Sequence, residues 1–185
     1  MKYTKFTDIP QFTRSGSYQV NVSWDYLEYQ IARWQEEKIL GNYLDLSPLY
    51  QRCHVWTEEQ QRRYVEYILK GGKSSRFLYF NCSSWGKKYN TPIELVDGKQ
   101  RLEAVRKFLR NELTIFDGAL ISDFTQPLRM SRADFIFIVN DLATQEEVLQ
   151  WYIDLNSSGT PHTDEEIEKV KKLLAKEQKT SKVVA

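Results

Sequence analysis

Apolar positions recur along this chain with two periods, one of two residues and one of three to four, and the changes between them mark the predicted elements. Val20 and Val22 alternate with polar residues, which predicts a short strand. Ser23 then reads as the cap of a helix that carries Trp24, Leu27, Ile31 and Trp34 on one face. Gly41-Asn42 ends that helix, and Leu44, Leu46 and Leu49 lead into Tyr50-Gln51-Arg52. Thr57 with Gln60 is a capping box for a helix carrying Tyr64, Val65, Ile68 and Leu69, stopped by Gly71-Gly72. Phe77 to Phe80 and Ile93 to Val96 read as two strands that pair as a hairpin with a long loop. Leu102, Val105, Phe108 and Leu109 define a further helix, ended at Asn111. Leu113, Ile115 and Phe116 suggest a strand, and Phe135 to Val139 another. Capping boxes at Thr144/Glu147 and Thr163/Glu166 open two more helices. The first bears Val148, Trp151, Tyr152 and Leu155, and the second Ile167, Val170, Leu173 and Leu174.

Helices and short strands are mixed without the regular alternation of a doubly wound parallel sheet. The expected fold is α+β: a compact domain with a small mixed sheet and several packed helices. Residues 1–17 are expected to form an arm, 18–175 a single domain and 176–185 a frayed tail.

With 185 residues and 41% hydrophobic positions the chain can bury a sizeable core. No run is long enough to span a membrane, and Met1 to Phe6 lacks the apolar core of a signal peptide. Two cysteines, Cys53 and Cys82, provide neither a disulfide framework nor a four-thiolate zinc site. A cytoplasmic protein of a bacterial or phage-infected cell is therefore expected. Net charge is only +1, so bulk attraction to nucleic acid is excluded while a local basic face is not. Arg62-Arg63, Lys87-Lys88 and Arg106 to Arg110 read as solvated surfaces.

Chemistry concentrates at Asp97-Gly98-Lys99-Gln100-Arg101, where a strand stops and a helix starts. Backbone N–H groups and the positive end of the helix dipole meet there, which suits an anion. Gly98 permits unusual dihedrals and lets the backbone come close to a ligand, and Arg101 offers a charged fork to phosphate oxygens. The plainer reading makes Asp97 a helix cap. Two further polar clusters sit at element ends, Tyr50 to Trp56 and Asn156 to Thr160. His54 and His162 have no metal-binding spacing, so no metal site is expected, and no Walker-type loop is present.

Taken together and in this order, the clusters resemble the ParB/sulfiredoxin-like superfamily, in the branch of domain-of-unknown-function family 262, the GmrSD-type N-terminal domain. A Y-Q-R-x-x-V-W segment is matched by Tyr50, Gln51, Arg52, Val55 and Trp56. A D-G-Q-Q-R-L segment is matched by Asp97, Gly98, Gln100, Arg101 and Leu102, with Lys99 in place of the first Gln. An L-N-x-x-G-x-P-L turn is matched by Leu155, Asn156, Gly159 and Pro161, with His162 where an apolar residue is common. The resemblance runs from about Asp45 to Leu174. The chain is short for the family and reads as a stand-alone member without a nuclease domain of the HNH type.

The resemblance implies a site in which Asp97, Gln100 and Arg101 do the chemistry. Arg52, Gly98, Lys99, Arg101 and Asn156 would bind the phosphates of a nucleoside triphosphate, with magnesium as the accompanying cofactor. The leading expectation is a nucleotide-binding domain, with slow hydrolysis as its activity, in a DNA-related process such as restriction or phage–host conflict. A second is a ParB-like DNA-binding or nuclease module. A third is an inactive interaction protein that binds a host or partner protein, for which the Trp and Tyr residues would suit a surface.

Overall fold

The computed structural model describes residues 2–9, 18–36, 44–51, 56–87, 91–157 and 170–175. Five strands make one mixed sheet: β1 (Tyr18–Ser23), β2 (Leu44–Asp45), β3 (Phe77–Asn81), β4 (Ile93–Asp97) and β5 (Asp134–Asn140), in the spatial order β1-β5-β3-β4-β2. Strands β3 and β4 pair antiparallel, as the hairpin reading requires. Strand β5 inserts between β1, antiparallel, and β3, parallel, while β2 runs parallel to β4. The fold is α+β, as the mixed pattern predicts.

Side-chain alternation along the strands divides the core in two. One face presents Val22, Phe135, Phe137, Val139, Leu78, Phe80, Ile93 and Leu95. Against it pack α1 (Leu27–Glu36), α2 (Glu58–Leu69) and α3 (Lys99–Leu109), through Ile31 and Trp34, Val65 and Ile68, and Val105 and Phe108. Trp34 meets Phe80 edge-on at 5.2 Å, a favoured aromatic geometry. The opposite face carries Val96 and Tyr79, covered by α4 (Gln145–Ser157) and by the helical residues 170–175, through Val148, Trp151, Tyr152 and Val170.

Capping chemistry sets the helix starts where the sequence signals it. Thr57 and Gln60 exchange both bonds of their capping box, and so do Thr144 and Glu147. Gly71 and Asn111 follow α2 and α3 with φ of +90° and +62°, the left-handed conformation that ends helices.

Three expectations change. Ser23 caps nothing with its side chain: a 3-10 turn over Trp24–Tyr26 comes between it and α1, although Trp24, Leu27, Ile31 and Trp34 are all buried as their spacing requires. Leu113, Ile115 and Phe116 form no strand, only a single bridge from Ile115 to Ala119. Leu113 and Ile115 point into the core because that loop is pinned there, whereas Phe116, at φ +47°, is exposed. Asp97 is not the cap of α3, as the site geometry makes plain. Gly41-Asn42, Thr163, Glu166 and Ile167 lie outside the described residues, as do 10–17 and 176–185.

Candidate functional site

The last residue of β4 is Asp97, and the pairing with β3 is irregular just before it. Tyr79 faces Asp97 while Phe80 faces Leu95, so Val96 is an extra residue on β4. A bulge of this kind re-aims side chains at the end of a strand. Here it brings Asp97 to the side of the sheet that Tyr79 occupies.

Gly98 follows with φ +105° and ψ 7° and is the N-cap of α3. A glycine cap has no side-chain acceptor for the first N–H groups of the helix. Its lack of a Cβ serves packing: a Cβ would run into Leu78 Cδ2 and lie 3.2 Å from Arg101 Nη2 and 3.3 Å from the Phe77 carbonyl. The close approach the structure shows at this glycine is to β3 and to Arg101.

With the cap position taken by Gly98, the Asp97 carboxylate is released from capping and accepts from Arg101 Nη2, one helical turn on. Both side chains retain exposure, 20% for Arg101 and 29% for Asp97. Arg101 Nε is buried and has no hydrogen-bond partner among the described residues. The guanidinium is therefore held by one carboxylate and keeps donor capacity beyond it. Lys99 stands beside it, half-buried.

Gln100 is buried, and its Oε1 accepts the Trp56 N–H at 3.0 Å. Gln51 Nε2 donates to the Leu95 carbonyl. The Tyr-Gln-Arg segment and the Asp-Gly segment, far apart in sequence, are thereby joined by backbone-directed amides. Gln51 and Gln100 act as positioning residues for this junction. Arg52, with Cys53, His54 and Val55, lies outside the described residues, as do Gly159, Pro161 and His162. Asn156 Nδ2 donates to the Tyr152 carbonyl at 2.7 Å, within its own helix, and the Tyr152 ring meets Tyr50 at 5.3 Å.

Local sequence signals missed two features. Arg76, immediately before β3, pairs with Asp134, the first residue of β5, and its Nε donates to the Gly72 carbonyl at 2.9 Å. Nothing near Arg76 in sequence announces a partner 58 residues away. At the other end of β4, Glu94 accepts from the Tyr50 hydroxyl at 3.0 Å and lies opposite Asp45. Burial pushes the Glu94 carboxyl above the usual carboxylate range, the Tyr50 hydrogen bond opposes this, and the nearby Asp45 charge adds to it. The Tyr50 phenol is likewise pushed up, by burial and then by Glu94.

A raised carboxyl pKa in the folded state favours folding when Glu94 is protonated, and that contribution is lost as pH rises through the folded-state pKa. Glu94→Gln keeps an acceptor for Tyr50 and removes the buried charge. Thermal denaturation should show the variant more stable than the parent at neutral pH. The difference should shrink as pH falls toward the ordinary glutamate range. A variant less stable at neutral pH would contradict the reading.

Two cavities have linings that include none of residues 97–101. One of about 300 Å³ is lined by Asp45 and Glu94 and repels phosphate. The other, about 270 Å³, has a lining of Phe108, Phe116, Phe124 and aliphatic or neutral residues, with no charged group. Among the described residues no three His, Cys, Asp or Glu side chains cluster to hold a metal, and no helix is long and apolar enough to cross a membrane. The basic patches of the helices are internally paired: Arg62 with Glu58, Arg63 with Glu59, and both Arg106 and Arg110 with Glu28.

No curated protein and no solved structure shows a significant match to the chain. The family model of the GmrSD restriction endonuclease N-terminal domain matches residues 35–133, more than half of the chain and all of the β4–α3 junction. The chain thus belongs to the family of GmrSD restriction endonuclease N-terminal domains.

Proposed function

We propose that this domain binds the phosphates of a nucleoside triphosphate at the start of α3, as part of a restriction-related process on DNA. The observation that carries the reading is Arg101. It is held by Asp97 and stays partly open to solvent, on a helix whose cap is a glycine. An arginine fork at a helix N-terminus combines charge with directed donors, the two elements of anion recognition. Lys99 adds a cation, and Arg52 completes the set through the family motif. Asn156 closes the site from the end of α4 in this reading.

Magnesium fits as an ion carried by the phosphates. It is commonly held by one or two carboxylates together with substrate oxygens, and Asp97 is the carboxylate beside the helix start. When bound, the ion would neutralise phosphate charge. Asp97 would then divide its role between orienting Arg101 and facing the phosphates, while Gln100 holds the junction rigid. Turnover in this reading is slow, because Gln100 is buried and bonded to the Trp56 amide. In this proposal the fold is of the ParB/sulfiredoxin-like type.

The test is a thermal-shift panel with ATP, GTP, CTP and UTP, each with and without magnesium, on the parent and on Arg101→Ala. A ligand at one hundred times its Kd stabilises by about 2.7 kcal/mol, or roughly 5–10 °C for a domain of this size. At least one nucleotide should give such a shift. Losing a charged hydrogen bond, about 1.5–3 kcal/mol, should weaken binding by roughly 10- to 150-fold. An unchanged shift in the variant would reject the site.

Family membership in restriction endonuclease domains favours a second reading, in which Arg52, Lys99 and Arg101 contact DNA phosphates. Its mark is affinity for duplex DNA that falls linearly in log–log form with salt. Salt-independent binding, or none, would dismiss it.

A further inference from the structure

The sheet face beside Arg101 is built as an aromatic strip between two arginine–aspartate pairs. Alternation along β3 puts Phe77 and Tyr79 on the face opposite Leu78 and Phe80, and their rings stack at 5.9 Å. Ile136 and Ile138 of β5 lie beside them in register. Phe77, Tyr79, Ile136 and Ile138 are all half-buried, and Phe77, Ile136 and Ile138 join neither hydrophobic core among the described residues. Trp151 of α4 meets Tyr79 edge-on at 5.8 Å and walls the strip on one side.

Charge brackets the strip. Asp134 shares the face of Ile136 and Ile138 by alternation, and it holds the Arg76 guanidinium and accepts from Asn21 Nδ2 at 3.0 Å. Asp97 shares the face of Tyr79 through the β4 bulge, and it holds Arg101. Strands β4 and β5 flank β3, with Asp97 opposite Tyr79 and Asp134 two residues before Ile136, the partner of Phe77, so the two pairs stand roughly 16 Å apart across and along the sheet, with Phe77 between them. Half-buried apolar rings beside a fixed cation, with Tyr79 directly opposite Asp97 of the Asp97–Arg101 pair, match a flat base joined to a polyphosphate.

We infer that Phe77, with Tyr79 beside it, is the stacking platform for the base of the nucleoside triphosphate whose phosphates Arg101 holds. This rests on the phosphate reading of Arg101 and extends it to the base. Stacking is tolerant of base identity because every base has a π-face, so the platform recognises nucleotides as a class. The pairing of Arg101 with Asp97 keeps its guanidinium positioned before the ligand arrives, which lowers the ordering cost of binding.

Titration calorimetry of the whole chain with ATP, GTP and inorganic tripolyphosphate, each with magnesium, separates the two ideas. In the parent, at least one nucleotide should bind ten times or more tighter than tripolyphosphate, which has the charge and no base. Phe77→Leu keeps an apolar side chain and should erase that preference, leaving tripolyphosphate affinity unchanged. Equal parent affinities for nucleotide and tripolyphosphate, both lost in Arg101→Ala, would overturn the platform and leave the phosphate site standing. Binding of neither ligand by the parent would overturn both. The parent comparison needs no variant, so a failure of Phe77→Leu to fold would not protect the proposal.

Discussion

Gly98→Ala should cost this domain about 2–5 kcal/mol of stability, seen as a fall of roughly 5–20 °C in Tm for a chain of this size. Two terms add. The residue sits at φ +105° and ψ 7°, where a side chain is strained by roughly 1–2 kcal/mol. The new methyl group would also press on Leu78, one of the fully buried residues under the sheet, and overpacking typically costs about 1–3 kcal/mol. Against a total of about 5–15 kcal/mol the sum is severe. Gly71→Ala is the control. Its φ is +90°, yet a Cβ there meets nothing within 4 Å, so only the backbone term applies. Urea denaturation of the two variants should therefore differ by the packing term. Equal losses would mean that Leu78 yields freely and that Gly98 is needed for its conformation alone.

The second large effect is expected at Asn81, the last residue of β3. It is buried and bonds both backbone groups of Leu142: the Leu142 N–H donates to Oδ1 at 2.9 Å, and Nδ2 donates to the Leu142 carbonyl at 3.2 Å. This amide clamps the segment that runs from β5 into α4, and its side chain also bonds Glu94. Asn81→Ala leaves two buried backbone groups without partners, at about 1–3 kcal/mol each. The expected loss is about 2–6 kcal/mol in urea denaturation, with faster hydrogen exchange at the Leu142 amide. Unchanged exchange there would show that the segment is held by the apolar contacts of Leu142, Val148 and Leu149 instead.

These two residues illustrate how unevenly the sequence speaks. The capping boxes at Thr57 and Thr144, the apolar faces of α1 and α2 and the strands at Val20, Phe77, Ile93 and Phe135 were legible because each signal is local. A period of two or of three to four, with a cap at its start, is complete within one element. The 112–132 stretch resisted because its form comes from tertiary pinning: Leu113 and Ile115 are buried by packing, without a repeating pattern. Ser23 misled for a related reason, since a cap signal says that a turn begins and leaves open whether it is α or 3-10.

The candidate site divides along the same line. The sequence alone determined that Asp97 to Arg101 joins a strand to a helix, that Gly98 supplies an unusual backbone turn, and that Arg101 lies in the first helical turn. These follow from spacing along a few residues. Only the tertiary structure decided what each group faces. A one-residue bulge on β4 turned Asp97 to the side of Tyr79, and Gly98 took the cap position and freed Asp97 for Arg101. The strand order set β5 beside β3, which gave Arg76 its partner Asp134 and laid Phe77 beside Ile136. Such pairings depend on register and strand neighbours, which contacts between distant parts of the chain select.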